Sequence, residues 1–145
     1  RIEWLGRISE AEKRERLKGA TVFCAPSLRG ESFGVVLIEA MAASTAVVAS
    51  SLDGYRNVAT HERDAILVEP GSVEQLTDAL RRVIADEGLR ERLVVAGEHR
   101  ADDFSMSTLA QLYLDRYRRV IAAAPPPSEW PRVSTLRRRV RRMMA

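Results

Sequence analysis

A chain of 145 residues, 46% hydrophobic and 30% charged, is long enough for one domain with a real core and well-solvated helical faces. No apolar run approaches the roughly 20 residues of a membrane-spanning helix, no secretory leader is evident, and the lone Cys24, set in an apolar run, excludes an internal disulfide framework and fits a reducing cytosol. The net charge of +3 belongs to the end of the chain: residues 123–145 hold six arginines against Glu129 alone, which leaves residues 1–122 slightly acidic.

Residues 2–5 read as a short strand ending at Gly6, and because Arg1 opens directly into it, the chain reads as the tail end of a longer product. Ser9 with Glu12 makes a capping box, predicting a helix to about Lys18 that Gly19 stops. Residues 21–25 form an apolar strand closed by Pro26, a loop covers 27–33, and a helix follows over 34–43. Residues 46–49 form the next strand, followed by a turn at Asp53-Gly54; residues 65–68 form another, closed by Pro70-Gly71. Ser72 with Gln75 is a second capping box, opening a helix to about Ala85 with Leu80, Val83 and Ile84 as its core stripe. Two more helices follow over 89–100 and 107–122.

Short, doubly buried strands alternating with helices imply an α/β fold, a Rossmann-like parallel sheet with helices on both faces. Ligands of such sheets lie at the carboxyl ends of the strands. Pro125-Pro126-Pro127 breaks the last helix and divides the chain into a domain over 1–122 and a Pro/Arg-rich tail over 123–145. In the tail, Val133, Leu136, Val140, Met143 and Met144 recur at helical spacing among five arginines, the pattern of a basic amphipathic helix.

The loop over 27–33 enters its helix through Glu31-Ser32-Phe33-Gly34-Val35. A helix opening after Gly34 points free N–H groups and a positive dipole end into the loop, a natural seat for phosphate. Gly34 also lets a bulky ligand approach the backbone. Glu31 and Glu39 are strong acceptors that repel phosphate, so they suit neutral hydroxyls. Sugar plus diphosphate describes a nucleotide-sugar.

Cys24-Ala25-Pro26, Glu31-Ser32-Phe33-Gly34, Glu39-Ala40-Met41-Ala42-Ala43, Val47-Val48-Ala49-Ser50 and Leu52-Asp53-Gly54-Tyr55-Arg56 resemble the C-terminal, donor-binding half of retaining GT-B glycosyltransferases (glycosyl transferases group 1). Within that superfamily they are most similar to the phosphatidylinositol alpha-mannosyltransferases of actinobacteria, and the similarity covers about residues 3–121. The resemblance implies a GT-B C-terminal domain whose N-terminal partner carries the acceptor site. It implies transfer of mannose from GDP-mannose to phosphatidylinositol, in phosphatidylinositol mannoside biosynthesis, on the cytoplasmic, inner face of the plasma membrane as a peripheral protein. By position, it assigns the mannose hydroxyls and the reacting centre to Glu31, and the sugar and diphosphate to backbone groups of Ser32, Phe33, Gly34 and Val35. Glu39 would hold the ribose, and Ile8, Ser9, Glu10 and Lys13 would frame the base, where an acid at Glu10 suits the N1–H and N2–H2 donors of guanine. No cofactor is required by the sequence, and a divalent cation such as Mg2+ is compatible with a diphosphate donor.

The departures are local. Ser44-Thr45-Ala46 stands where many relatives have Gly-Thr-Pro, and Ala65 where they often have Gly; Asp53 to Asn57 replaces a Gly-Gly-x-x-Glu turn, a change the mannosyltransferase subgroup shares. A non-glycine residue at Ser44 costs about 1 kcal/mol if that position needs positive φ. The basic residues that neutralise the diphosphate in the family lie upstream of this sequence, so the segment alone should bind donor weakly and be inactive.

Other readings are plainer. Glu10 and Lys13 alone are an i, i+3 pair on a solvated helix face, Cys24 is a small core residue, Tyr113 and Tyr117 pack one turn apart, and His61 and His99 are surface residues that form no metal site. The tail reads as a solvated arm or, through the arginines of 137–142, as an interfacial helix on anionic lipid. Nucleic acid is the weaker partner because that run lacks aromatics for stacking. Two functional alternatives stand beside the mannosyltransferase: a related glycosyltransferase with another nucleotide-sugar or acceptor, and a non-catalytic nucleotide- or membrane-binding module.

Overall fold

The computed structural model describes residues 2–123, so the tail and its amphipathic pattern lie outside the described residues. Among the described residues, packing separates those up to Thr108 from those that follow from Leu109 on. In order come α1 (Glu10–Lys18), β1 (Val22–Ala25), α2 (Val35–Ala42), β2 (Ala46–Ser50), α3 (Asp53–Val58), β3 (Ile66–Val68), α4 (Val73–Ala85), α5 (Glu87–Asp102) and α6 (Met106–Ala123). The three strands form one parallel sheet in the order β1-β2-β3, with Phe23 opposite Val47 and Val48 opposite Ile66.

Every residue of β2 is buried, because helices cover both faces of the sheet. Val47 and Ala49 point into a core with Leu37, Met41, Tyr55 and Val58, while Ala46 and Val48 pack on Ala79, Val83, Leu89 and Leu93. Strand periodicity thus sorts one apolar run into two cores. β1 is different: among the described residues it is an edge, and only Ala25 in it is fully buried.

Serine side chains cap the starts of α1 and α4, as Ser105 does for α6, where its Oγ accepts from the Thr108 amide. Ser9 Oγ accepts from the Glu12 amide at 3.2 Å and Ser72 Oγ from the Gln75 amide at 3.3 Å. The reciprocal half of each box is spent elsewhere, with Glu12 facing Arg16 and Gln75 Oε1 accepting from the Glu69 amide at 2.8 Å. Ser44 has φ 60°, the left-handed conformation its position demands, and its hydroxyl meets Glu98 of α5. Next to it, the buried Thr45 hydroxyl donates to the Leu17 carbonyl at 2.6 Å, which closes the end of α1.

Three expectations need correction. Residues 2–5 are not a strand: they pair with no strand among the described residues, and Ile2 and Trp4 are 80% and 92% exposed. Strand propensity without a neighbour to bond does not make a strand. The turn at Asp53-Gly54 is the first turn of a helix, α3. Ile84 is exposed, because the buried stripe of α4 runs through Leu76, Ala79, Leu80 and Val83, and the next residue turns away from it.

α3 is fixed by contact. A Cβ on Gly54 would lie 2.6 Å from the Glu31 carbonyl oxygen and 2.8 Å from the Ser32 carbonyl carbon. We expect Gly54→Ala to destabilise the protein by about 1–3 kcal/mol in urea unfolding, since backbone must move.

Asp64, buried ahead of β3, accepts from the Thr60 amide at 2.6 Å, while its Oδ2 accepts no hydrogen bond among the described residues and lies 4.0 Å from Arg63 Nε. Burial raises its carboxyl above the ordinary range. A raised carboxyl binds its proton more tightly when folded, so its contribution to stability falls as pH climbs from the unfolded value to the raised one. Asp64→Asn keeps the bond to Thr60 and should remove that slope from unfolding free energies measured across pH.

Candidate functional site

The site is built on the N-terminus of α2, at the carboxyl end of β1. Gly34 caps the helix with φ 99° and no side chain. A Cβ there would lie 3.1 Å from Tyr55 Cδ1 and 3.3 Å from Val58 Cγ2, so both conformation and space require glycine. The capping oxygen comes instead from Glu31, whose Oε1 accepts from the amides of Gly34 at 2.9 Å and Phe33 at 3.1 Å. The Phe33 amide first, then that of Gly34, holds this carboxyl below its ordinary range.

Two amides that the resemblance assigned to the donor are therefore engaged by Glu31. The next two, of Val35 and Val36, have no acceptor among the described residues, while Leu37 and Ile38 donate to the Gly34 carbonyl. Ser32 is exposed beside them. An anion at this helix end would meet the free Val35 and Val36 amides. The loop is floored by Tyr55, 2% exposed, whose hydroxyl lies 3.2 Å from Ser27 Oγ and also faces Glu31.

Further along α2, Lys13 of α1 bridges two acids, with Nζ 2.8 Å from Glu39 Oε1 and 2.7 Å from Glu10 Oε2. Glu10 first, then Glu39, raises the Lys13 ammonium above its ordinary range. These three side chains, with Arg14, Leu17 and Ala42, line a cavity of about 270 Å³ between α1 and α2. Ser9 is spent on its cap and Ile8 is half-buried at the entrance to α1. The expected site residues thus form two groups along α2: Glu31, Ser32, Phe33, Gly34 and Val35 at its mouth, and Glu39 lower down, where Glu10 and Lys13 of α1 meet it.

Sequence reasoning misses the supports. Gly54 and Tyr55 underlie the loop, Phe104 meets Phe33 edge-on at 5.7 Å, and Arg100 lies over Phe104 at 4.6 Å. Spacing gives no hint of these contacts, although an isolated Tyr beside Gly on a helix start is a signal worth following. His61 has a structural task, its Nδ1 accepting from the Leu67 amide at 3.0 Å. No cluster of metal-ligating side chains occurs among the described residues.

A parallel sheet wrapped by helices on both faces defines a Rossmann-like domain. Residues 1–100 match the family Glycosyl transferases group 1, and the chain belongs to that family. It is 41% identical over 119 residues to the phosphatidyl-myo-inositol mannosyltransferase of Mycobacterium leprae, covering 82% of this chain and 32% of that protein. It is 37% identical over 129 residues to the alpha-maltose-1-phosphate synthase of Mycobacterium tuberculosis, covering 83% and 33%. The structure of sucrose-phosphate synthase from Thermosynechococcus elongatus matches with TM-score 0.75 and 31% identity over 86% of this chain and 31% of that one. The chain spans about a third of the length of these relatives.

Glu31→Gln keeps an acceptor at the helix mouth but loses the charge. A carboxyl lowered on folding contributes stability above its unfolded value, and that contribution is lost as pH falls through the lowered one. As pH drops below 4.5, the ordinary value for a glutamate, the melting temperature of the wild type should therefore fall more steeply than that of the variant.

Proposed function

We propose that this chain is the donor-binding half of a retaining glycosyltransferase that transfers mannose from GDP-mannose to phosphatidylinositol. The observation that carries the reading is the order of groups along α2. Glu31 stands at the helix mouth, the free amides of Val35 and Val36 come next, and Glu39 follows with Lys13 and Glu10 beside it. A hexose, a diphosphate, a ribose and a base would meet these groups in that sequence. The mannosyltransferase name of the relatives supports the sugar and the lipid acceptor.

In this reading Glu31, kept ionised by the Phe33 and Gly34 amides, holds sugar hydroxyls through Oε2 and favours an oxocarbenium-like state. Negative charge leaving on the diphosphate meets the helix end, which contributes about 0.3–1 kcal/mol when exposed and up to about 2 when partly buried. Glu10 and Lys13 offer an acceptor and a donor to the base. The acceptor site lies in the remaining part of the enzyme, which works as a peripheral protein at the cytoplasmic membrane face. No cofactor enters the proposed chemistry. A second reading, a related enzyme using another nucleotide-sugar, is favoured by the alpha-maltose-1-phosphate synthase and D-inositol 3-phosphate glycosyltransferase among the relatives.

The test is mannose transfer from labelled GDP-mannose to phosphatidylinositol vesicles by the full-length protein. Charge-assisted hydrogen bonds of about 1.5–3 kcal/mol predict that Glu31→Ala and Glu39→Ala each lower kcat/KM by roughly 10- to 100-fold. Near-normal turnover and donor affinity in both variants would overturn the site. Calorimetric heats with UDP-glucose but none with GDP-mannose or GDP would favour the second reading.

A further inference from the structure

Arg100, near the end of α5, is 69 positions from Glu31 in the chain, yet two packed routes join them. The guanidinium donates through Nε to the Val58 carbonyl at 2.6 Å and through Nη2 to the Asn57 carbonyl at 2.9 Å. These bonds close the carbonyl end of α3. The other end of α3 presses Gly54 onto the backbone of Glu31 and Ser32. That is the first route.

The second runs through rings. Arg100 lies over Phe104 with its Cζ 4.6 Å from the ring centroid, and Phe104 meets Phe33 edge-on at 5.7 Å. The Phe33 amide is one of the two that grip Glu31. A six-residue helix such as α3 has little stability of its own, so its place depends on what holds its ends. The remaining contact, Nη1 to Asp103 at 3.0 Å, is an exposed pair that adds little.

We propose that Arg100 is a positioning residue for the sugar end of the site: it fixes α3 and the Phe33 ring, and through both the seat of the Glu31 carboxylate at the mouth of α2. Its effect on transfer rests on the donor reading given under Proposed function; its effect on the loop does not. Lysine cannot replace it, because a point ammonium has neither the planar fork nor the flat face that the two carbonyls and Phe104 use together.

Arg100→Lys in the full-length protein is the test, with the exposed Arg81→Lys of α4 as the control. Hydrogen exchange at the Phe33 and Gly34 amides should accelerate about tenfold or more, while Ala79 and Val83 in α4 keep their protection. The Glu31 carboxyl, followed by NMR, should titrate closer to its ordinary range. Mannose transfer should lose roughly 10- to 100-fold in kcat, since misplacement acts on the reacting end, with donor affinity little changed. Phe104→Leu cuts only the ring route and should loosen the same two amides less; it decides the question if the lysine variant does not fold.

Unchanged exchange and an unchanged Glu31 titration in a folded Arg100→Lys would overturn the proposal. So would loosening spread evenly over α4, which marks a general stabiliser. If the loop loosens but the wild-type protein shows no donor binding, the positioning role stands and the donor reading fails.

Discussion

Glu31 Oε1 accepts from the amides of both Phe33 and Gly34, and the left-handed turn into α2 depends on that carboxylate staying where it is. Helices commonly take their cap from the residue directly before the first turn. Here that residue is a glycine, chosen for its conformation and for its clearance from Tyr55 and Val58. A charged oxygen from three residues upstream does the capping and also answers the positive end of the helix dipole. One side chain therefore shapes the loop and supplies the site with its first functional group.

That arrangement divides the helix end between two tasks. The carboxylate occupies the outermost amides, and an anion is left the next pair, Val35 and Val36. Glu39 follows five residues after Gly34, a rise of about 7.5 Å along the axis. Lys13 stands between two acids there and offsets their mutual repulsion. An otherwise apolar helix, with Leu37, Ala40 and Met41 buried in the core, carries its polar groups only where a long ligand could lie beside it. The core holds α2 still, and the polar groups inherit that rigidity.

The sheet and the helices opened by Ser9 and Ser72 are legible in the sequence because their signals are local: apolar runs bounded by Pro and Gly, and Ser-x-x-Glu or Ser-x-x-Gln before a helix. The Glu31-to-Glu39 segment is legible for the same reason, since its residues share one loop and one helix. α3 escapes because six residues are too few to show a period, and Gly54 at its start imitates a turn. Arg100 and Phe104 escape because nothing in their spacing records that they meet Asn57, Val58 and Phe33. Residues 2–5 mislead in the opposite direction, since a strand needs a partner that no local pattern guarantees. What sequence reading finds is the candidate groups; what it misses is the scaffold that holds them.

Among the described residues β1 has β2 on one side only, and Val22, Phe23 and Cys24 along it are just half-buried. An apolar strand with a row of unpaired N–H and C=O groups is a template for further strand addition. A sample of this segment by itself is therefore open to self-association along that side. Charged substitutions along that edge, not added core packing, are what would keep it in solution.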